Sequence, residues 1–128
     1  MLTFPYLRKG QQAFPVVDLT LTARSRALTL KALVDSGASF SVFRAEVLEH
    51  LGLRLEQGAR LSLEGVGGRI LGYRHRLLAQ VGTTKFFSTI VFSKELTVSF
   101  TLLGRDNFFE HFLVTFDERR QEVRLQNY

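Results

Sequence analysis

The chain has 128 residues, 45% of them hydrophobic, with twelve Phe, three Tyr, no Trp, no Cys and a formal charge of +5. That length suits one domain with its own core, and the lack of Cys excludes disulfides, thiolate metal sites and a thiol nucleophile. No apolar run approaches the roughly 18 residues of a membrane-spanning helix, and Met1 to Gly10 has no signal-peptide pattern, so a soluble, cytoplasmic protein without membrane contact is expected.

Pro5 and Pro15 bracket what reads as an irregular N-terminal arm over residues 1–14. Beyond it Val17, Leu19 and Leu21 alternate with Asp18, Thr20 and Thr22, the period-two pattern of a strand with one wet face. Leu28, Leu30, Ala32 and Val34 repeat the pattern up to Asp35, with Ala23 to Ala27 as the hairpin connection. Between Phe43 and Leu51 the spacing changes: Phe43, Val47, Leu48 and Leu51 share a helical face, and Gly52 stands where a helix would stop. Strands resume at Leu61 and Leu63, pass a glycine cluster (Gly65, Gly67, Gly68, Gly72), and continue as Tyr73 to Val81 and Phe86 to Phe92. Thr101 to Leu103 is a further short strand leading into Gly104-Arg105-Asp106, and Asp106 to Phe112 reads as one or two helical turns. Residues 113–128 read as a closing hairpin, with Val114 and Phe116 facing Val123 and Leu125. The chain is therefore expected to be all-β, a single domain over residues 1–128.

The basic residues form short pairs, Arg24/Arg26, Arg74/Arg76 and Arg119/Arg120, separated by long apolar stretches. Such spacing argues against a nucleic-acid footprint, while the net charge by itself would favour an acidic polypeptide as substrate. His50, His75 and His111 are isolated, so no metal site and no cofactor are expected.

Ala32-Leu33-Val34-Asp35-Ser36-Gly37-Ala38-Ser39 places a carboxylate where an apolar strand ends in a tight turn. Gly37 permits a peptide N–H to point at that carboxylate, and the Ser36 hydroxyl is placed to brace the loop. Taken alone the tripeptide fits either a strand-ending Asx-turn or a catalytic acid.

Three segments in order resemble the retroviral-protease (retropepsin) type of aspartic peptidase. Ala32 to Ala38 resembles its apolar run followed by Asp-Ser/Thr-Gly-Ala. Gly65-Val66-Gly67-Gly68 resembles its glycine-rich flap, and Leu102-Leu103-Gly104-Arg105-Asp106 resembles its second signature. The resemblance covers roughly Val16 to Phe112. It implies a single-lobe β-barrel with one or two short helices, and a peptidase in which Asp35 is catalytic. Asp18, Asp106 and Asp117 lack a following Ser/Thr-Gly, so the second acid would be Asp35 of another copy in a symmetric homodimer. The resemblance further implies that Ala38 and Ser39 form the floor for an extended polypeptide. Val34, Val66 and Ile70 would line pockets, and Gly104, Arg105 and Asp106 would be structural. Two departures are visible. Ser39 stands where retroviral members carry an acid that pairs with the arginine, leaving Arg105 to bond backbone carbonyls or Asp106. The chain also continues beyond the helix as a hairpin, implying a different dimer interface. A dimeric peptide-binding module without productive catalysis is the alternative that the same residues allow.

Overall fold

The computed structural model describes residues 1–65, 68–96 and 101–128. Alternating apolar and polar residues build β4 (Val16–Ala23) and β5 (Arg26–Val34), which pair antiparallel with Ala23 opposite Arg26. The connection is thus shorter than expected, only Arg24-Ser25, and Arg24 takes the turn's positive φ of 56°. Val17, Leu19, Leu21, Ala32 and Val34 are buried. Their polar neighbours pair across the outer face: the Thr20 and Thr29 hydroxyls lie 2.7 Å apart, and Lys31 meets Asp18 at 2.9 Å. Cross-strand pairs of this kind fix register.

Phe43 departs from the expected helix. It lies in β6 (Val42–Arg44), with α1 (Ala45–His50) beginning only afterwards. The aromatic ring is fully buried and meets Phe92 edge-on at 5.7 Å, so packing overrides the local helical spacing. Gly52 ends α1 as expected. With φ at 77° its N–H donates to the Glu49 carbonyl at 2.9 Å, and the Leu53 N–H returns to Leu48 at 3.2 Å.

β7 (Ala59–Gly65) and β8 (Gly68–Val81) form a long hairpin, and β9 (Thr84–Ser93) follows β8 through a turn at Gly82, φ 59°. With β10 (Thr101–Leu103) these strands make a seven-stranded sheet in the order β4-β5-β10-β6-β9-β8-β7. β4 also pairs with β8, so the sheet turns back on itself. After β10 comes the four-residue α2 (Phe108–His111), inside the segment expected to be helical.

The N-terminal arm is not irregular. It forms β1 (Leu2–Pro5) and the small hairpin β2 (Leu7–Lys9) and β3 (Gln12–Phe14). β1 pairs with β12 (Glu122–Asn127), which pairs with β11 (Phe112–Asp117), giving a three-stranded sheet. Pro5 is tolerated because β1 is an edge strand, where a missing N–H costs no ladder bond. The expected facing residues are opposite one another, Val114 with Leu125 and Phe116 with Val123. Leu2 and Phe4 pack with Val123 and Leu125 against the core. The Tyr6 hydroxyl anchors the arm by donating to Glu118 at 2.5 Å, and burial, reinforced by that carboxylate, raises the phenol above the ordinary tyrosine range. No helix among the described residues is long and apolar enough to cross a membrane.

Candidate active site

β5 runs parallel to β10, with Ala32, Leu33 and Val34 opposite Thr101, Leu102 and Leu103. This register lays the two sequence signatures side by side, since Asp35 and Gly104 each follow directly. The Asp35 N–H donates to the Leu103 carbonyl at 3.0 Å, closing the strand pair at the point where the carboxylate emerges. The loop then folds back on itself: Gly37 N–H donates to Asp35 Oδ1 at 2.9 Å, and Ala38 N–H to the Asp35 carbonyl at 3.2 Å. Asp35 is half-buried.

The second signature clamps that loop through main-chain groups. Arg105 N–H donates to the Ala38 carbonyl at 2.8 Å and Asp106 N–H to the Ser39 carbonyl at 2.7 Å, while Phe40 and Asp106 form a parallel bridge. Gly104 sits where any side chain would collide with backbone: a Cβ would lie 2.4 Å from the Phe40 carbonyl carbon and oxygen and 2.9 Å from the Ala38 oxygen. Sequence reasoning missed Ser41, which holds the clamp together. Fully buried, its Oγ accepts the Gly104 N–H at 3.0 Å and its carbonyl accepts the Val91 N–H at 2.9 Å. Ser41→Ala strands a buried N–H and is expected to cost about 1–3 kcal/mol, read as a lowered denaturant midpoint at unchanged slope.

Asp35, Gly37, Ala38 and Ser39 line one side of an open cleft of about 650 Å³. Gly68 and Ile70, from the start of β8, line the other, so the β7–β8 hairpin and Asp35 face the same space. Gly65 pairs with Gly68 at the hairpin's end. Val66 and Gly67, the expected flap tip, lie outside the described residues. Phe40, Val42, Leu63 and Leu102 supply the apolar lining, and Ser62, Glu64, Glu95 and Leu96 complete it. Of these eight only Leu102 belongs to a sequence signature; the others are brought to the cleft by the pairing of the strands and the segments that flank them.

Three expectations need correction. Val34 lines no pocket: it is buried in the core, on the same face as Ala32. The Ser36 hydroxyl does not brace the loop, being exposed and without a hydrogen bond among the described residues, because peptide N–H groups already do so. Arg105 bonds neither backbone carbonyls nor Asp106 through its side chain. Its guanidinium is exposed and makes no hydrogen bond or ion pair among the described residues, although its peptide N–H is part of the clamp. Ser36, Ser39, Arg105, Asp106 and Glu110 instead border a second open depression on the other side of the loop, with Phe109 as its apolar wall.

The aspartyl protease family profile matches residues 21–106, a span that contains the loop, the hairpin and the clamp. Among solved structures, EIAV protease complexed with the inhibitor HBY-793 is similar with a TM-score of 0.58. The match covers 78% of this chain and 89% of that chain at 19% sequence identity, which speaks to the fold. No curated protein gives a significant match. With about two thirds of its length matched, including both signatures, the chain belongs to the aspartyl protease family in its retropepsin-like form.

Proposed function

We propose that this chain is an aspartic endopeptidase that works as a symmetric homodimer, with Asp35 from each copy forming one catalytic pair. The observation that carries the reading is the placement of Asp35. It stands on a loop fixed by four main-chain hydrogen bonds and by the Gly37 N–H donated to its own carboxylate, at the floor of a cleft that the flap hairpin shares. Rigid support of this kind is what a catalytic group requires. In this reading residues 1–128 act as one domain with a barrel-like sheet, a view that the pairing of β4 with β8 supports.

Two carboxylates a few ångströms apart cannot both ionise cheaply and therefore share a proton. One takes a proton from water, whose oxygen attacks the scissile carbonyl carbon, while the other donates its proton to the carbonyl oxygen. Collapse of the resulting diol breaks the C–N bond as the amine takes up a proton. An extended polypeptide would be held as an added strand between floor and hairpin, its alternate side chains entering the apolar lining. Gly68 and Ile70 belong to that hairpin in this reading, and Gly65 to its paired base.

Dimer formation is tested by diluting the enzyme while following cleavage of an unstructured protein. Specific activity should fall as the assembly dissociates, in step with a drop in solution mass, and excess Asp35→Asn subunits should suppress the wild type by capturing it in mixed pairs. Activity that stays constant per subunit while the species is monomeric would refute the dimer.

A further inference from the structure

The charge lining the cleft opposes the charge of the chain. The molecule carries +5 overall, yet among the described residues the charged side chains lining the cleft are Asp35, Glu64 and Glu95, all acidic. Two of the three are already engaged: Asp35 by its loop, and Glu64 by Arg69 at 2.7 Å. Glu95 differs. It has no cationic partner among the described residues, and its carboxylate meets only the Leu71 N–H, at 3.2 and 3.4 Å from its two oxygens.

Glu95 is also held in place from both ends. Its own N–H donates to Ser93 Oγ at 3.0 Å, and that hydroxyl donates to the Leu71 carbonyl at 2.6 Å. The residue is thereby clipped to β8 one position beyond Ile70, which lines the cleft together with Leu96. An exposed carboxylate beside two aliphatic side chains matches a long basic side chain, whose methylene stem lies on the apolar wall while its cationic head reaches the acid.

We infer that Glu95 is a specificity-determining residue that selects polypeptides carrying Lys or Arg, in place of the acidic substrates that net charge alone would favour. The inference rests on the peptidase reading for the identity of the cleft. In the two-fold assembly Glu95 occurs twice, so the preference falls at two peptide positions, one on each side of the scissile bond.

The test uses neutral, extended peptides in which a single Lys, norleucine or Glu is walked along the sequence, and reads binding separately from cleavage. Binding is measured to the Asp35→Asn protein by fluorescence anisotropy at low salt. Lys peptides should bind about fivefold more tightly than norleucine peptides at the selected positions, a difference of the size an accessible ion pair supplies, and added salt should shrink it. Glu95→Gln in the same background should bring the ratio to about one, and Glu95→Lys should reverse it in favour of Glu peptides. In the Asp35-containing enzyme the ratio of kcat/KM values should follow the same order. Equal binding of the three peptides, no measurable binding, or a Lys preference that survives Glu95→Gln would overturn the inference. Cleavage without basic preference sinks it while leaving the peptidase intact; Glu95-dependent binding without cleavage sustains it and removes the peptidase.

Discussion

Asp35→Asn is expected to abolish peptide hydrolysis while leaving the fold in place. The amide oxygen of Asn occupies the position of Asp35 Oδ1 and can still accept the Gly37 N–H, now 2.9 Å away, so the loop keeps its internal bond. What is lost is the exchangeable proton: an amide neither takes a proton from water nor shares one with a twin. Loss of general acid–base chemistry alone is worth about 10²- to 10⁴-fold, and both roles fall on the same residue of the two copies. Stability should change by about 1 kcal/mol or less, the difference between a charged and a neutral acceptor at a half-exposed site. The variant should therefore show unaltered circular dichroism and solution mass, with cleavage of an unstructured protein reduced to background. Turnover retained within tenfold of the parent would remove Asp35 from the chemistry.

Gly104→Ala is expected to be strongly destabilising for a single added methyl. The added carbon would meet the Phe40 carbonyl at 2.4 Å and the Ala38 oxygen at 2.9 Å, and these are backbone atoms that already accept or flank the clamp's hydrogen bonds. Neither neighbour can rotate away, so β10 and the acid's loop must separate. Overpacking against unyielding atoms places the cost at roughly 3–5 kcal/mol, in the exceptional range for one substitution. Because the displaced segment carries Asp35, cleavage should drop by about 100-fold even under conditions where the protein remains folded. Gly10→Ala is the control. It also adds a methyl, and its φ of 64° is unfavourable for Ala, but nothing lies within 4 Å of the new carbon, so about 1 kcal/mol is expected. Similar midpoints for the two variants in chemical denaturation would show that the close approach at Gly104 is not important.

Much of this arrangement is legible in the residues themselves, and the failures have physical reasons. Period-two alternation gives β4 and β5 cleanly because one face is wet, and the Asp-Ser-Gly and Leu-Leu-Gly-Arg-Asp segments stand out as motifs. That they lie side by side is not legible, since the parallel pairing of residues 32–34 with 101–103 depends on the whole sheet. The spacing of Phe43 to Val47 and Leu51 is helical, whereas its burial against Phe92 holds it in β6. Val34 shares a buried face with Ala32, and the alternation along β5 is the signal that keeps it out of a pocket. Pro5 suggested an irregular arm, but a proline on an edge strand carries no such meaning. Glu95 could not have been found in advance. It lies in no motif, and its importance comes only from β8 and the end of β9 being drawn together.

The pairing of residues 101–103 with the strand that bears the acid has a consequence for biosynthesis. A ribosome delivers the N-terminal portion seconds before the C-terminal one, so the newly made acid waits without its lateral support until some seventy further residues have emerged. The outermost strand waits longer still, because Leu2 finds its neighbour only in Leu125. Such distant partners make for slow, all-or-none maturation, and a half-synthesised polypeptide accordingly lacks the parallel neighbour that closes the strand leading to Asp35.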